Sequence, residues 1–193
     1  MFAITGLIGS GKSLVASVVR GEGFEVLDAD ALAHELYREN ADLREKIADE
    51  FGKEALAENG INRQHISRLV FNNEQKLCLL ESIVHPILQH EIEKRNPPFV
   101  EAAVLYKWHD FAKKMQQIWV VEADENIRID RLLKKGMNII DIENRIRTQK
   151  NNYQLSTIHY QLSNINCQLI KNNGSKEVCI DFTKSIIKKI QHL

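Results

Sequence analysis

Residues 2–13 read Phe-Ala-Ile-Thr-Gly-Leu-Ile-Gly-Ser-Gly-Lys-Ser, and this stretch restricts what the chain can become more than any other. Phe2 to Thr5 is a short apolar run of the kind that forms a buried strand. Gly6 to Ser13 then fits G-x-x-x-x-G-K-[ST], the pattern of a phosphate-cradling P-loop. Gly6, Gly9 and Gly11 let the backbone curl until its N–H groups converge into a nest for anionic oxygens. Lys12 supplies a compact charge able to reach the outer phosphates of a nucleotide, and the Ser13 hydroxyl can ligate Mg²⁺. Leu14 to Arg20 continue as a helix whose positive end faces the same anion. A glycine-rich turn alone is a weak signal; here strand, eight-residue loop and helix arrive together.

A chain of 193 residues suits one domain with an inserted subdomain. Lys plus Arg and Asp plus Glu both number 26, so no global field recruits nucleic acid or an anionic membrane, and neither is expected as a partner. Cys78, Cys167 and Cys179 are odd in number and far apart, which argues against a disulfide framework or a zinc site and fits a reducing cytoplasm. Working sequence from residue 2 onward leaves no leader peptide to expect. No apolar run approaches the ~20 residues of a membrane span.

Further along, Phe24 to Leu27 reads as a second strand ending at Asp28-Ala29-Asp30. Carboxylates at the carboxyl end of such a strand sit where ligands bind in α/β sheets. One of them could take a proton from a substrate hydroxyl or help hold Mg²⁺ through water; the alternative is that Asp28 or Asp30 caps the helix beginning near Ala31. Residues 31–96 carry helical periodicity over Ala31–Arg38, Leu43–Phe51, Arg63–Phe71 and Gln75–Arg95, with a turn at Glu58-Asn59-Gly60. So much helix between two strands indicates an inserted helical subdomain, a natural seat for an acceptor substrate. Pro86, after His85, should kink or restart the last of these helices. His85 alone reads as structural or as a group re-aimed by the kink. Phe99 to Leu105 reads as a third strand, in which Glu101 needs either an ion-pair partner or Mg²⁺-bound water. Ile118 to Val121 forms a fourth strand and Leu169-Ile170 a fifth, before a final amphipathic helix from Val178 to Ile190. Asp124 to Lys150 is a basic helical pair broken at Gly136-Met137-Asn138, readable as a solvated face or as a lid closing over phosphates. Residues 151–164 are polar and helical or irregular.

With these pieces in place the chain resembles the dephospho-CoA kinase family from residue 2 to about residue 190. The segments that carry the likeness, beyond the P-loop, are Val26-Leu27-Asp28-Ala29-Asp30, Phe51-Gly52, Arg63 with Val70-Phe71, and Leu80-Glu81-Ser82-Ile83-Val84-His85-Pro86-Ile87. Arg145-Ile146-Arg147-Thr148-Gln149 and Leu169-Ile170-Lys171-Asn172-Asn173-Gly174-Ser175 add to it. The resemblance implies a single three-layer α/β P-loop kinase domain over residues 1–193, with a five-stranded parallel sheet, a helical CoA-side insertion at 31–96 and a helical lid at 124–150. It implies ATP and dephospho-CoA as substrates and Mg²⁺ as cofactor. Gly9, Ser10, Gly11, Lys12, Ser13 and Leu14 would hold the ATP phosphates, with Lys12 catalytic and Ser13 on the metal. Asp30 would bind the ribose 3′-hydroxyl and take its proton. Arg63 and His85 would form the CoA side, Asn172 would lie near the adenine, and Arg131, Lys135 and Arg145 would belong to the lid.

Several positions depart from the family pattern. Leu14 stands where Thr is usual, Lys107 where Glu is usual, and Lys135 where the lid has Arg. The segment after Gln149 is longer than usual. Another P-loop kinase of small hydroxyl or nucleotide substrates, or a diverged nucleotide-binding homologue with weak turnover, are the alternatives at this stage.

Overall fold

The computed structural model describes residues 1–71, 73–152 and 166–191. In chain order the first elements are β1 (Phe2–Thr5), α1 (Lys12–Gly21), β2 (Val26–Asp28), α2 (Ala29–Glu39), α3 (Ala41–Phe51), β3 (Leu56–Ala57), β4 (Gly60–Ile61), α4 (Arg63–Val70) and α5 (Glu74–Arg95). Then come β5 (Phe99–Glu101), α6 (His109–Ala112), β6 (Gln117–Glu122), α7 (Glu125–Lys134), α8 (Ile139–Asn152), β7 (Cys167–Lys171) and α9 (Lys176–Ile190). The chain divides into two compact units, Met1–Leu27 with Pro97–Leu193, and Asp28–Asn96.

The first unit is built on a five-stranded parallel sheet in the order β2-β5-β1-β6-β7. β1 lies at its centre, with Ile4 opposite Glu101 of β5 and Thr5 opposite Val120 of β6. A strand buried on both sides reads as a continuous apolar run, which is why Phe2 to Thr5 was legible without alternation. Val15, Val18 and Val19 of α1 and Ile186 and Ile187 of α9 join Ile4, Phe99, Trp119 and Ile170 in one core. Phe99 sits at its middle, 5.2 Å from Trp119 edge-on and 5.0 Å from Phe2 in a stack. A smaller core joins Leu132, Ile142 and Ile146 of α7 and α8, with Ile8 packed against it.

The second unit holds α2 to α5 and an antiparallel pair, β3 with β4, in which Ala57 faces Gly60. Each of its helices begins on a side chain that accepts a backbone N–H: Asp28 for α2, Asn40 for α3, Asn62 for α4 and Asn73 for α5. Such caps satisfy donors that a helix start leaves open. Asp28 thus fills the capping role, accepting from Asp30 and Ala31 at 2.9 and 3.1 Å. The turn read at Glu58-Asn59-Gly60 is the tight connection of this β3–β4 pair.

Pro86 does not restart its helix. α5 runs unbroken from Glu74 to Arg95 with Pro86 inside it. Val84, Leu88 and Ile92 are buried at four-residue spacing on one face, so packing keeps the helix continuous past a residue that cannot donate its N–H. The third strand is shorter than its sequence suggested. It ends at Glu101, and Leu105 to Lys107 form a tight 3-10 turn. The basic stretch forms α7 and α8, joined through Gly136 at φ 83°. Most of the polar segment 151–164 lies outside the described residues. No described helix is long and apolar enough to cross a membrane.

Candidate active site

The loop between β1 and α1 follows the central strand of the sheet, at its carboxyl edge. Gly11, φ 103°, is the N-cap of α1 and offers no side-chain cap, unlike the residues that begin α2 to α5. Its first-turn N–H groups and the helix dipole are thereby directed at the loop rather than at a capping oxygen. Gly9 is glycine for a packing reason as well as a dihedral one. At φ 77°, a Cβ there would lie 2.9 Å from the Arg128 carbonyl oxygen and 3.0 Å from the Arg128 Cβ.

Lys12 donates from Nζ to the carbonyls of Gly6 at 2.8 Å and Leu7 at 3.2 Å, which curls its charge over the loop. The Ser13 hydroxyl donates to Oε1 of Glu101 at 2.9 Å. Glu101 is 8% exposed at the end of β5, and the serine hydroxyl is one partner of its carboxylate. Two oxygen donors of this kind suit a hard divalent cation. Among the described residues no group of three or more His, Cys, Asp or Glu side chains could hold a metal by itself.

The loop is gripped from behind. The Ile8 N–H donates to Oε1 of Gln149 at 3.0 Å, and the Ile8 carbonyl accepts from Nη1 of Arg128 at 3.2 Å. The Ser10 carbonyl accepts from Nδ2 of Asn172 at 2.8 Å and from Nη1 of Arg131 at 3.3 Å. Arg131 also donates to the carbonyl and Oδ1 of Asn172 at 2.8 and 3.2 Å. Arg131 and Asn172, expected in the lid and near the adenine, are therefore joined to each other and to the loop. Asn172 is 2% exposed. Lys135 ends α7 as its C-cap, and both Lys135 and Arg145 are exposed. Leu14 is half-buried and packs on the sheet core.

Beside the loop lies a cleft of about 370 Å³ lined by Leu7, Ala123, Asp124, Arg128, Lys171 and Asn173, with Glu122 and Glu125 also on its wall. The Asp124 N–H donates to Oδ1 of Asn173 at 2.9 Å, which ties the start of α7 to the turn after β7. Arg128 is the residue of this cleft that charge patterning hid. A base in a helical charge run normally faces solvent. Its spacing of three from Arg131 was the available signal, since it places both on one face of α7. Burial pulls the pKa of Arg128 down, and Glu125 opposes that shift.

In the second unit Asp30 opens α2 with an exposed side chain. Arg63 begins α4, exposed, and its cation partly offsets the burial that raises the Tyr37 pKa. His85 is half-buried on α5. A wider hollow of about 660 Å³ lies along α3 and the β3–β4 pair, and neither Arg63, His85 nor Asp30 lines it.

A glycine loop shaped in this way, after the central strand of a parallel sheet and before an uncapped helix, defines a P-loop kinase fold. The dephospho-CoA kinase family profile matches residues 1–169. A dephospho-CoA kinase of Aquifex aeolicus is 38% identical over 153 residues, spanning 76% of this chain and 78% of that one. A crystal structure of a Thermus thermophilus protein superposes with a TM-score of 0.74 at 27% identity, covering 97% of this chain and 96% of its own. The dephospho-CoA kinase structure from Campylobacter jejuni, at 24% identity, has the same fold with a TM-score of 0.64, covering 98% of this chain and 96% of that one. The chain belongs to the dephospho-CoA kinase family.

Proposed function

We propose that this protein transfers the γ-phosphoryl group of ATP to the ribose 3′-hydroxyl of dephospho-CoA, giving CoA and ADP, the last step of coenzyme A synthesis. The observation that carries this reading is the P-loop itself, with Lys12 curled over it and Ser13 bonded to a buried Glu101, in a chain of this family. The loop N–H groups and the uncapped start of α1 would receive the β- and γ-phosphates. Lys12 would exchange its two carbonyl partners for phosphate oxygens as charge moves to the bridging oxygen. Gly9 to Leu14 line this path.

In the reaction the 3′-oxygen forms a bond to the γ-phosphorus while the bond to the β–γ bridging oxygen breaks, and ADP leaves. The hydroxyl proton passes to the carboxylate of Asp30. Arg63 and His85 are assigned to dephospho-CoA. The residues present also fit Mg²⁺: Ser13 would ligate it and Glu101 would accept from its bound waters, where the ion would neutralise phosphate charge. Chemistry of this kind is mostly positioning and electrostatics. Arg131, Lys135 and Arg145 supply cations on the α7–α8 side, Arg131 already engaged with the loop.

The test is ADP release measured with dephospho-CoA, CoA and AMP in parallel, with the Asp30→Asn protein beside the native one. Dephospho-CoA should be the preferred acceptor, and Asp30→Asn should cost about 10²- to 10⁴-fold in turnover with ATP binding kept. Preference for AMP would move the protein to nucleotide kinases. Normal turnover in Asp30→Asn would remove Asp30 as the base.

A further inference from the structure

We propose that Arg128 is a positioning residue of the phosphate site, holding the P-loop in its anion-receiving shape by gripping the Ile8 carbonyl; this rests on the loop being the nucleotide site argued above. A trans peptide is planar, so the C=O of one residue and the N–H of the next point in opposite directions. Fixing the Ile8 carbonyl against Nη1 of Arg128 therefore aims the Gly9 N–H the other way. The Ser10 carbonyl, held by Arg131 and Asn172, does the same for the Gly11 N–H. Ile8 is secured on two further sides, by Gln149 at its N–H and by the apolar cluster of α7 and α8 around its side chain.

Three glycines in the loop make such a grip necessary. Gly6, Gly9 and Gly11 all sit at positive φ, and free glycine loses more entropy on ordering than any other residue. A loop ordered in advance spares a ligand that cost. Arg128 suits the task by contact as well as by hydrogen bond, because its own backbone is against Gly9.

Arg128 is an expensive choice for a purely structural brace. It is 4% exposed, and among the described residues its carboxylate partner is Glu125 at 3.5 Å and its Nε has no hydrogen-bond partner. A buried cation so incompletely matched stabilises a fold poorly. It lines the cleft beside the loop together with Lys171 and the carboxylates of Glu122, Asp124 and Glu125, on the carbonyl side of Ile8. The arrangement thus gives up unliganded stability for a loop already ordered when phosphate binds.

The experiment compares native protein with Arg128→Met, which removes charge and donor at similar length, and Arg128→Lys, which keeps both without the planar fork. ADP and ATP affinities are read by titration calorimetry, unliganded melting by circular dichroism, and turnover with dephospho-CoA at saturating ATP. Arg128→Met should bind ADP about tenfold more weakly, the worth of one charge-assisted hydrogen bond. Its unliganded melting temperature should stay level or rise, its saturated turnover should stay within about threefold, and Arg128→Lys should recover most of the affinity. Should methionine not pack, Arg128→Gln gives the same reading with a polar group in the site, and at least fivefold weaker ADP binding is expected. Native ADP affinity in a folded Arg128→Met or Arg128→Gln protein overturns the proposal, as does a lowered melting temperature with unchanged affinity. Native protein that binds ADP but does not phosphorylate dephospho-CoA would instead count against the proposed function and leave the role of Arg128 standing.

Discussion

Lys12 contacts the carbonyls of Gly6 and Leu7, partners that belong to the loop it crosses. Its other role, toward phosphate, is electrostatic and worth most in the transition state, where charge shifts toward the leaving oxygen. Lys12→Ala should therefore leave thermal unfolding close to native and cut turnover by about 10²-fold or more. A circular dichroism melt and an ADP-release assay on the same preparation separate the two effects. Turnover within twofold of native would remove the P-loop from the mechanism. Ser13 and Glu101 form a second residue-level pair, distant in sequence yet joined at 2.9 Å. Sequence could offer each a metal-linked role, but only the register of β1 beside β5 explains why they meet.

At the scale of elements, α5 gives the clearest test of packing against propensity. Pro86 removes one helical donor and crowds the preceding turn, yet Val84, Leu88 and Ile92 keep the helix whole. Pro86→Ala should restore the missing bond. With the gain partly offset by a freer unfolded chain, stability should rise by about 2 kcal/mol. Urea unfolding measures this directly, and equal or lower stability would show that the proline is matched to a bend the helix requires. The same comparison shows what was readable beforehand. β1, β2, β5 and β6 are apolar runs with glycine, proline or an acidic residue at an end, so they could be seen without alternation, whereas β7 shows only Leu169-Ile170 between polar residues. β3 and β4 have two residues each, too few for any periodicity to register. Of the kink or restart expected at Pro86, the restart is absent because buried contacts four residues apart keep the helix continuous. Arg128 was passed over for the converse reason: its charge pattern is that of a surface helix, and its burial comes from Ile8 and Gly9, about 120 residues away in sequence.

For the whole molecule, the sheet unit brings together residues from three remote stretches: the loop at 6–14, α7 at Arg128 and Arg131, and Asn172 after β7. Gln149 of α8 adds a fourth. Each of Arg128, Arg131, Asn172 and Gln149 hydrogen-bonds a loop carbonyl or the Ile8 N–H, so the sheet unit is organised about one short backbone segment. The helical unit, Asp28–Asn96, carries Asp30, Arg63 and His85, the residues assigned to the acceptor. The central claim is that the γ-phosphoryl group of ATP ends on the ribose 3′-hydroxyl of dephospho-CoA. Phosphorus NMR of the products of one incubation with ATP, Mg²⁺ and dephospho-CoA tests it most directly. The account predicts a new 3′-phosphomonoester resonance growing in step with ADP, one for one. ADP accompanied by inorganic phosphate alone, or by a phosphomonoester at any other position, would contradict it.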